Sequence, residues 1–326
     1  MSSISAGEGD LRGPGESAGP MNFLLRDRCP CCGTPIGAAR VKAASSPPAE
    51  SLSEAEHGRF LSGYTSKRVF FTYLECETCT GLFCPIYYDQ EQLSRLYAHQ
   101  AENMAEAPLE ARGRTQRGYA ELLMRHVRGG GGFLEIGADI GLFAQACAEL
   151  DDFERFWLYE PNLDVHAELK SRFAGRSAVV RSDIFSSSHL PAGSVSAAAM
   201  IHVLDHLLDP VAALVELREV MEPGGALLIV THDAQSLLAR GLGRRWPPFT
   251  LQHPHLFSPA SMRRLLASAG FECLEIAKTT NYFPATHFAR AALSILGLRP
   301  DVIPAWQKPL VGLRLGNIGA VARRPK

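Results

Sequence analysis

The stretch FLEIGADIG, Phe133 to Gly141, decides how this chain is read. Phe133, Leu134 and Ile136 form a short apolar run that ends in a loop carrying Gly137 and Gly141. The residues that follow, GLFAQACAEL (141–150), space their apolar side chains as a helix does. A strand turning through glycines into a helix lets backbone approach a ligand closely, because glycine has no Cβ to hold it off. The loop is not the G-x-G-x-x-G of a nicotinamide site, and an acid, Glu135, precedes its first glycine.

Moving outward, strand and helix patterns alternate. FWLYE (156–160), SAVVRSD (177–183), SVSAAAMI (194–201), ALLIVTH (226–232), FECLEIAK (271–278) and NIGAVARR (317–324) read as further strands. Between them lie the helices NLDVHAELKSRF, DPVAALVELREVM (209–221, stopped by Pro223-Gly224-Gly225) and SPASMRRLLASAG (258–270, with Ser258 as N-cap and Gly270 as C-cap). This alternation predicts an α/β fold with a parallel sheet covered on both faces and a ligand beyond the carboxyl ends of its strands. Glu160, nineteen residues after Gly141, ends the second strand, where a carboxylate can accept both hydroxyls of a ribose. Asp183 ends the third strand, where its surroundings meet an adenine amino group. The pattern suits one nucleoside without a phosphate grip.

Taken together, LEIGADIG, the acid of LYEPN, the RSDIF turn, MIHVLDHLLDP and EVMEPGGALLIV resemble the core of a class I S-adenosylmethionine-dependent methyltransferase over residues 129–277. The resemblance implies a Rossmann-like seven-stranded sheet with helices on both faces. It implies that Glu135, Gly137, Ala138, Asp139 and Gly141 shape the loop around the methionine part of the cofactor. Glu160 would then bind the ribose, Asp183 and Ile184 would sit by the adenine, and His202 would lie near the reacting methyl. Two positions depart from the family pattern: Asp139 replaces the usual middle glycine, and Ser196 stands where the fourth strand often has Asp.

Six of the eight cysteines fall before residue 89. Cys29-Pro-Cys31-Cys32-Gly33 and Cys76-Glu-Thr-Cys79-Thr-Gly81 are two C-x-x-C knuckles, each trailed by a turn glycine. Four thiolates in this arrangement suit a structural Zn2+, with Cys29, Cys32, Cys76 and Cys79 as ligands. Cys31 and Cys84 are spare, and Cys147 and Cys273 read as core fillers. The first twenty residues lack the basic head and apolar stretch of an export signal, which argues against disulfides and for a cytoplasmic protein. A zinc knuckle unit ahead of such a core resembles the deoxysugar and natural-product methyltransferases with an N-terminal zinc-binding domain. It is also similar, less closely, to zinc-ribbon methyltransferases of ribosomal RNA guanine.

The chain of 326 residues therefore divides into a disordered tail (1–20), a zinc-binding domain (21–88), a helical connector (89–128) and the methyltransferase domain (129–326). The last carries insertions at 233–257 and 279–316. A net charge of −1 argues against nucleic acid held by bulk charge, and Arg112, Arg114 and Arg117 read as a solvated helix face. No apolar run approaches the roughly 20 residues of a membrane helix.

Methyl transfer from a sulfonium is an in-line displacement, so the protein must place the acceptor, exclude water and take a proton from a poor nucleophile. His253 and His255 in LQHPHLFSP lie in the first insertion, at the mouth of the sheet, and are candidate bases alongside His202. His206 is read as holding its turn. Trp246, Phe249 and Phe257 either roof the acceptor or form core. The second insertion, with THFARAALSILG, Trp306 and Tyr282, either covers the acceptor or makes a homodimer face. The expected function is methyl transfer to a small hydroxylated molecule, a sugar nucleotide or secondary metabolite, with a histidine as base. The alternatives are an RNA base methyltransferase that holds RNA with its zinc unit, and a non-catalytic zinc-containing interaction protein.

Overall fold

The computed structural model describes residues 23–53, 56–57, 68–97, 108–295, 298–304, 308–314 and 316–326. The predicted tail (1–20) and Trp306 lie outside the described residues. The central sheet has seven strands: β1 (Gly132–Ile136), β2 (Arg155–Tyr159), β3 (Ala178–Arg181), β4 (Val195–Ile201), β5 (Met221–His232), β6 (Glu272–Lys278) and β7 (Asn317–Arg323). Their spatial order is β6-β7-β5-β4-β1-β2-β3.

All seven sequence strands are present, but the sheet is mixed rather than wholly parallel, because β7 pairs antiparallel with both β5 and β6. A parallel neighbour needs a crossover laid across a sheet face. The segment after β6 instead forms its own hairpin, Asn281–Pro284 against Leu310–Leu313, with the helix Ala285–Ile295 between them. The chain then re-enters the sheet running the other way.

Side chains alternate across the pleat. Leu134, Met200, Leu227 and Ile229 face one layer, packing on Leu214 and Leu217 of the helix Pro210–Val220 and on Leu265 of the helix Pro259–Ser268. Phe133, Ala199, Leu228 and Val230 face the other, against Tyr119 and Leu123 of the helix Leu109–Met124 and Phe143 of the helix Leu142–Leu150. Pro223-Gly224-Gly225 does not form a loop between helix and strand. It is a bulge inside β5, where a Cβ on Gly225 would lie 3.0 Å from the Glu222 carbonyl and 3.1 Å from that of Val195.

The N-terminal unit is a four-stranded antiparallel sheet in the order His255–Leu256, Leu82–Phe83, Tyr73–Cys76, Ala39–Ala43. Its outer strand comes from the first insertion, so segments 23–88 and 233–257 fold as one body. Their shared core holds Phe70, Phe71, Tyr73, Trp246, Phe249 and Leu251. Phe249 stacks on Phe70 at 5.2 Å, which makes the insertion's aromatics core rather than an open roof. Among the described residues no helix is long and apolar enough to cross a membrane.

Candidate functional site

The glycine loop after β1 runs through three residues of positive φ: Gly137 (79°), Asp139 (48°) and Gly141 (81°). A Cβ on Gly137 would meet Val203 Cγ2 at 2.4 Å, and one on Gly141 would meet Leu169 Cδ1 at 2.6 Å, so both positions require glycine. Asp139 occupies a left-handed conformation that disfavours a side chain. Two contacts hold it there. Its carboxylate pairs with the Arg112 guanidinium, and its backbone N–H donates to Glu160 Oε2 at 2.7 Å.

Glu160, buried at the end of β2, accepts a second amide hydrogen bond on Oε1 from Asn162 at 2.8 Å. Each of its oxygens keeps a lone pair for a further donor. Burial raises its pKa, and the two amide bonds work against that rise. Glu135 is fully buried, its pKa pushed well up by desolvation, and its Oε2 has no partner among the described residues. Ala138 is buried within the loop. At the end of β3, Arg181 grips Asp183 in a fork at 2.9 and 2.6 Å and holds its carboxyl down at about 2. The next residue, Ile184, leaves its side chain 75% exposed. A cradle that Cβ atoms would fill, an orphaned buried carboxyl oxygen and an acid at the end of β2 fit S-adenosylmethionine.

Six polar side chains converge at the carboxyl ends of β4 and β5. His202 follows β4 directly, with φ 52°, and its N–H donates to the Val230 carbonyl at 2.8 Å. His232 ends β5. Since β4 and β5 are neighbours, the two rings meet at 4.7 Å. His253 lies 5.4 Å from His232 and 4.7 Å from His206. Among them sits Asp205, wholly buried, its Oδ2 accepting from Thr231 Oγ1 at 3.0 Å and its Oδ1 without a partner among the described residues. Asn317, at the start of β7, ties two rings together. Its Nδ2 donates to His202 Nε2 at 3.2 Å, and its Oδ1 faces His232 Nδ1 at 3.0 Å.

Burial pushes these imidazoles towards the neutral form: His202 falls below its ordinary value, His206 to about 4 and His232 to about 3. Burial works to raise Asp205, but the facing imidazoles of His206, His253, His232 and His202 outweigh it and hold the carboxyl below its ordinary range.

His253 has a defined tautomer. Its Nδ1 lies 2.7 Å from the Pro248 carbonyl, which can only accept, so Nδ1 carries the proton and Nε2 keeps a lone pair. His255 does not join the group. It lies in the strand paired with Phe83, packs near Phe257 at 5.7 Å, and burial pushes its pKa to about 3. The sequence reading placed His202 and His253 near the reaction and gave His206 only its turn. Asp205, His232 and Asn317 went unassigned, although His202 and His232 both close strands that ALLIVTH and SVSAAAMI already marked.

The four knuckle thiols cluster, with every pair of sulfurs within 4.8 Å. Cys29 and Cys79 are 3.6 Å apart, Cys32 and Cys76 3.7 Å. Tetrahedral Zn–S bonds of about 2.3 Å put sulfurs roughly 3.8 Å apart, so the set fits zinc. Cys31 is buried beside it, and Cys84 contacts the His253 carbonyl at 3.9 Å. All eight cysteines are free thiols.

The methyltransferase domain family matches residues 97–276, more than half of the chain. No curated protein matches it in sequence. Among solved structures, the chain is similar to one from the complex between the Haloferax volcanii Trm112 methyltransferase activator and a putative methyltransferase (15% identity, 67% of this chain and 94% of that one, TM-score 0.49). It is also similar to a putative methyltransferase from Bacillus halodurans (17%, 64% and 99%, TM-score 0.45). A third is the Burkholderia thailandensis 1,6-didemethyltoxoflavin-N1-methyltransferase, solved with 1,6-didemethyltoxoflavin and S-adenosylhomocysteine (16%, 65% and 79%, TM-score 0.44). By the extent of its family match, the chain belongs to the methyltransferase domain family and is an S-adenosylmethionine-dependent methyltransferase.

Proposed function

We propose that the protein methylates a hydroxyl group of a small molecule, a sugar nucleotide or secondary metabolite, with His253 as the base. The observation that carries this reading is the locked tautomer of His253 beside the buried histidine group at the ends of β4 and β5. When bound, S-adenosylmethionine supplies the electrophilic methyl and the leaving group. Glu160 would hold the ribose hydroxyls, Glu135 and the Gly137–Gly141 turn the methionine end, and Asp183 and Ile184 the adenine edge. Val203 packs against Gly137, so His202 and the residues around it begin where the cofactor cradle ends. The acceptor hydroxyl would give its proton to His253 Nε2, and the Nδ1–H bond to Pro248 steadies the imidazolium that forms.

In this reading Cys29, Cys32, Cys76 and Cys79 hold a structural Zn2+ that fixes a wall of the acceptor site. Tyr73 and Tyr87 donate to the His253 and Leu251 carbonyls at 2.6 and 2.5 Å, and Thr80 Oγ1 meets Ser258 Oγ at 2.8 Å. The zinc unit is thus turned inward, onto the chain that carries His253. The arginines of the helix face that an RNA could use are paired with carboxylates: Arg112 with Asp139, Arg114 with Glu110, and Arg117 with Glu121 and Glu149.

The test is turnover of cofactor to S-adenosylhomocysteine across a panel of hydroxylated acceptors. His253→Ala is expected to lower kcat by about 10²–10⁴ with the cofactor Kd unchanged, whereas His255→Ala affects stability. Full activity in His253→Ala refutes the assignment. Turnover confined to RNA, with binding that collapses as salt rises, selects the RNA reading instead.

A further inference from the structure

We propose that His202, Asp205 and His232 form a binding site for a divalent transition-metal ion at the carboxyl ends of β4 and β5, separate from the cysteine site. Their donor atoms lie within 4.8 Å of one another. Bonds of about 2.0–2.2 Å to a metal place donors ~3–3.5 Å apart, so loading draws the three side chains together by roughly 1 Å. Two imidazoles and one carboxylate suit zinc, iron(II) or cobalt(II) better than magnesium or calcium, which prefer all-oxygen shells.

Three features point to a cation. Asp205 Oδ1 and His202 Nδ1 are both buried without a hydrogen-bond partner. Each such atom costs about 1–3 kcal/mol, and native proteins seldom leave two together unless an ion or water completes them. Asp205 is also wholly buried, and no lysine or arginine among the described residues pairs with it, so a bound dication would supply a partner that the surroundings do not. Finally, two of the ligands are already oriented from behind. Asn317 Oδ1 accepts from His232 Nδ1–H, which leaves His232 Nε2 as a ligand lone pair, and Thr231 holds the other oxygen of Asp205. Such outer contacts accompany most histidine metal sites. His202 Nε2 accepts from Asn317 Nδ2, so Nδ1 carries the ring proton; loading moves that proton to Nε2, and the Asn317 amide turns so that Oδ1 accepts from both rings.

Three protein ligands leave coordination positions open, as catalytic sites do and closed structural sites do not. On the acceptor reading given above, those positions take oxygens of the acceptor, and adjacent hydroxyls would chelate best. The metal site itself stands without that reading.

The experiment is anaerobic titration of the full-length protein with Co2+, followed by electronic absorption and metal analysis. The cysteine site gives thiolate-to-cobalt charge transfer. The proposed site gives a second equivalent with weak ligand-field bands and no charge transfer. Asp205→Asn and His232→Ala should remove that second equivalent and leave the thiolate band intact, and Asn317→Ala should weaken it about 10–100-fold. Because these buried substitutions can impair folding, the wild-type protein provides a second readout. Bound Co2+ should shift or broaden the imidazole resonances of His202 and His232 and spare those of His126 and His189. Saturation without an equivalent lacking thiolate character, or a second equivalent indifferent to Asp205→Asn, overturns the proposal, as do unperturbed His202 and His232 resonances. Loss of His253-dependent turnover with the second equivalent retained would strike the acceptor reading alone.

Discussion

Tyr73 donates its phenolic hydrogen to the backbone carbonyl of His253 at 2.6 Å. One residue is in the third segment of the N-terminal sheet and the other is the proposed base, 180 positions later. Burial raises the Tyr73 pKa well above its ordinary value, so the phenol stays a donor throughout the working range. Tyr73→Phe keeps the ring in the aromatic core and removes this bond together with the longer one from the same hydroxyl to the Thr250 carbonyl at 3.4 Å. It should cost about 1–3 kcal/mol of stability and lower kcat more than it raises the cofactor Kd, measured by denaturant unfolding and steady-state kinetics on one preparation. Equal kcat in the variant would show that the N-terminal sheet does not position His253.

The same linkage gives the proposed zinc site a functional consequence. The Cys79 carbonyl accepts from Ser258 Oγ at 3.2 Å, and Ser258 caps the helix Pro259–Ser268 at the end of the first insertion. Chelating the metal, or Cys32→Ser with Cys76→Ser, should therefore abolish methyl transfer along with zinc content. Cofactor binding at the opposite side of β4 should decline far less. Zinc content by native mass spectrometry and binding by calorimetry separate the two effects, and retained activity in a zinc-free protein contradicts this account.

Arg112 reaches from the helix Leu109–Met124 to the side chain of Asp139, and so steadies a loop residue held at φ 48°. Removing it should free the loop to leave the left-handed conformation, weakening cofactor binding by about five- to tenfold, or roughly 1–1.4 kcal/mol. Asp139→Gly removes the strain and the ion pair together, so its binding should stay within about threefold of the wild type. Titration of both variants checks the pair of expectations.

The buried histidines set a direction for acid stability. His206, His232 and His255 have folded pKa values of about 4, 3 and 3, below the ordinary 6.5 they regain on unfolding. Between those limits the unfolded chain binds more protons, so the stability these groups contribute is present above pH 6.5 and is lost as pH falls from 6.5 towards 3. The denaturation midpoint should fall through that window with a slope steeper than one proton. Substituting His255, which lies in the strand paired with Phe83, by a similar-sized neutral residue should make the slope shallower.

Local chemistry made much of this molecule readable. The glycines of the loop, Glu160 and the seven strands announce themselves by spacing and period, and the paired cysteine knuckles by residue type. What stayed hidden depends on contacts between distant segments. Nothing near His255 signals that it pairs with Phe83, and that pairing is what buries it. His232 looks like the polar end of a strand until β4 is placed beside β5 and brings His202 against it. The antiparallel course of β7, which delivers Asn317 to both rings, follows from a hairpin that turns the chain back rather than from any feature of NIGAVARR itself. Asp139 was legible as a departure, but its partner Arg112 lies 27 residues upstream and looked like surface charge.

The Gly137–Gly141 turn and Glu160 together form the proposed S-adenosylmethionine site. Isothermal titration of the full-length protein with S-adenosylhomocysteine should show one site of roughly micromolar Kd, weakened at least about tenfold in Glu160→Ala. No binding to the wild-type protein, or equal binding to Glu160→Ala, would contradict that assignment.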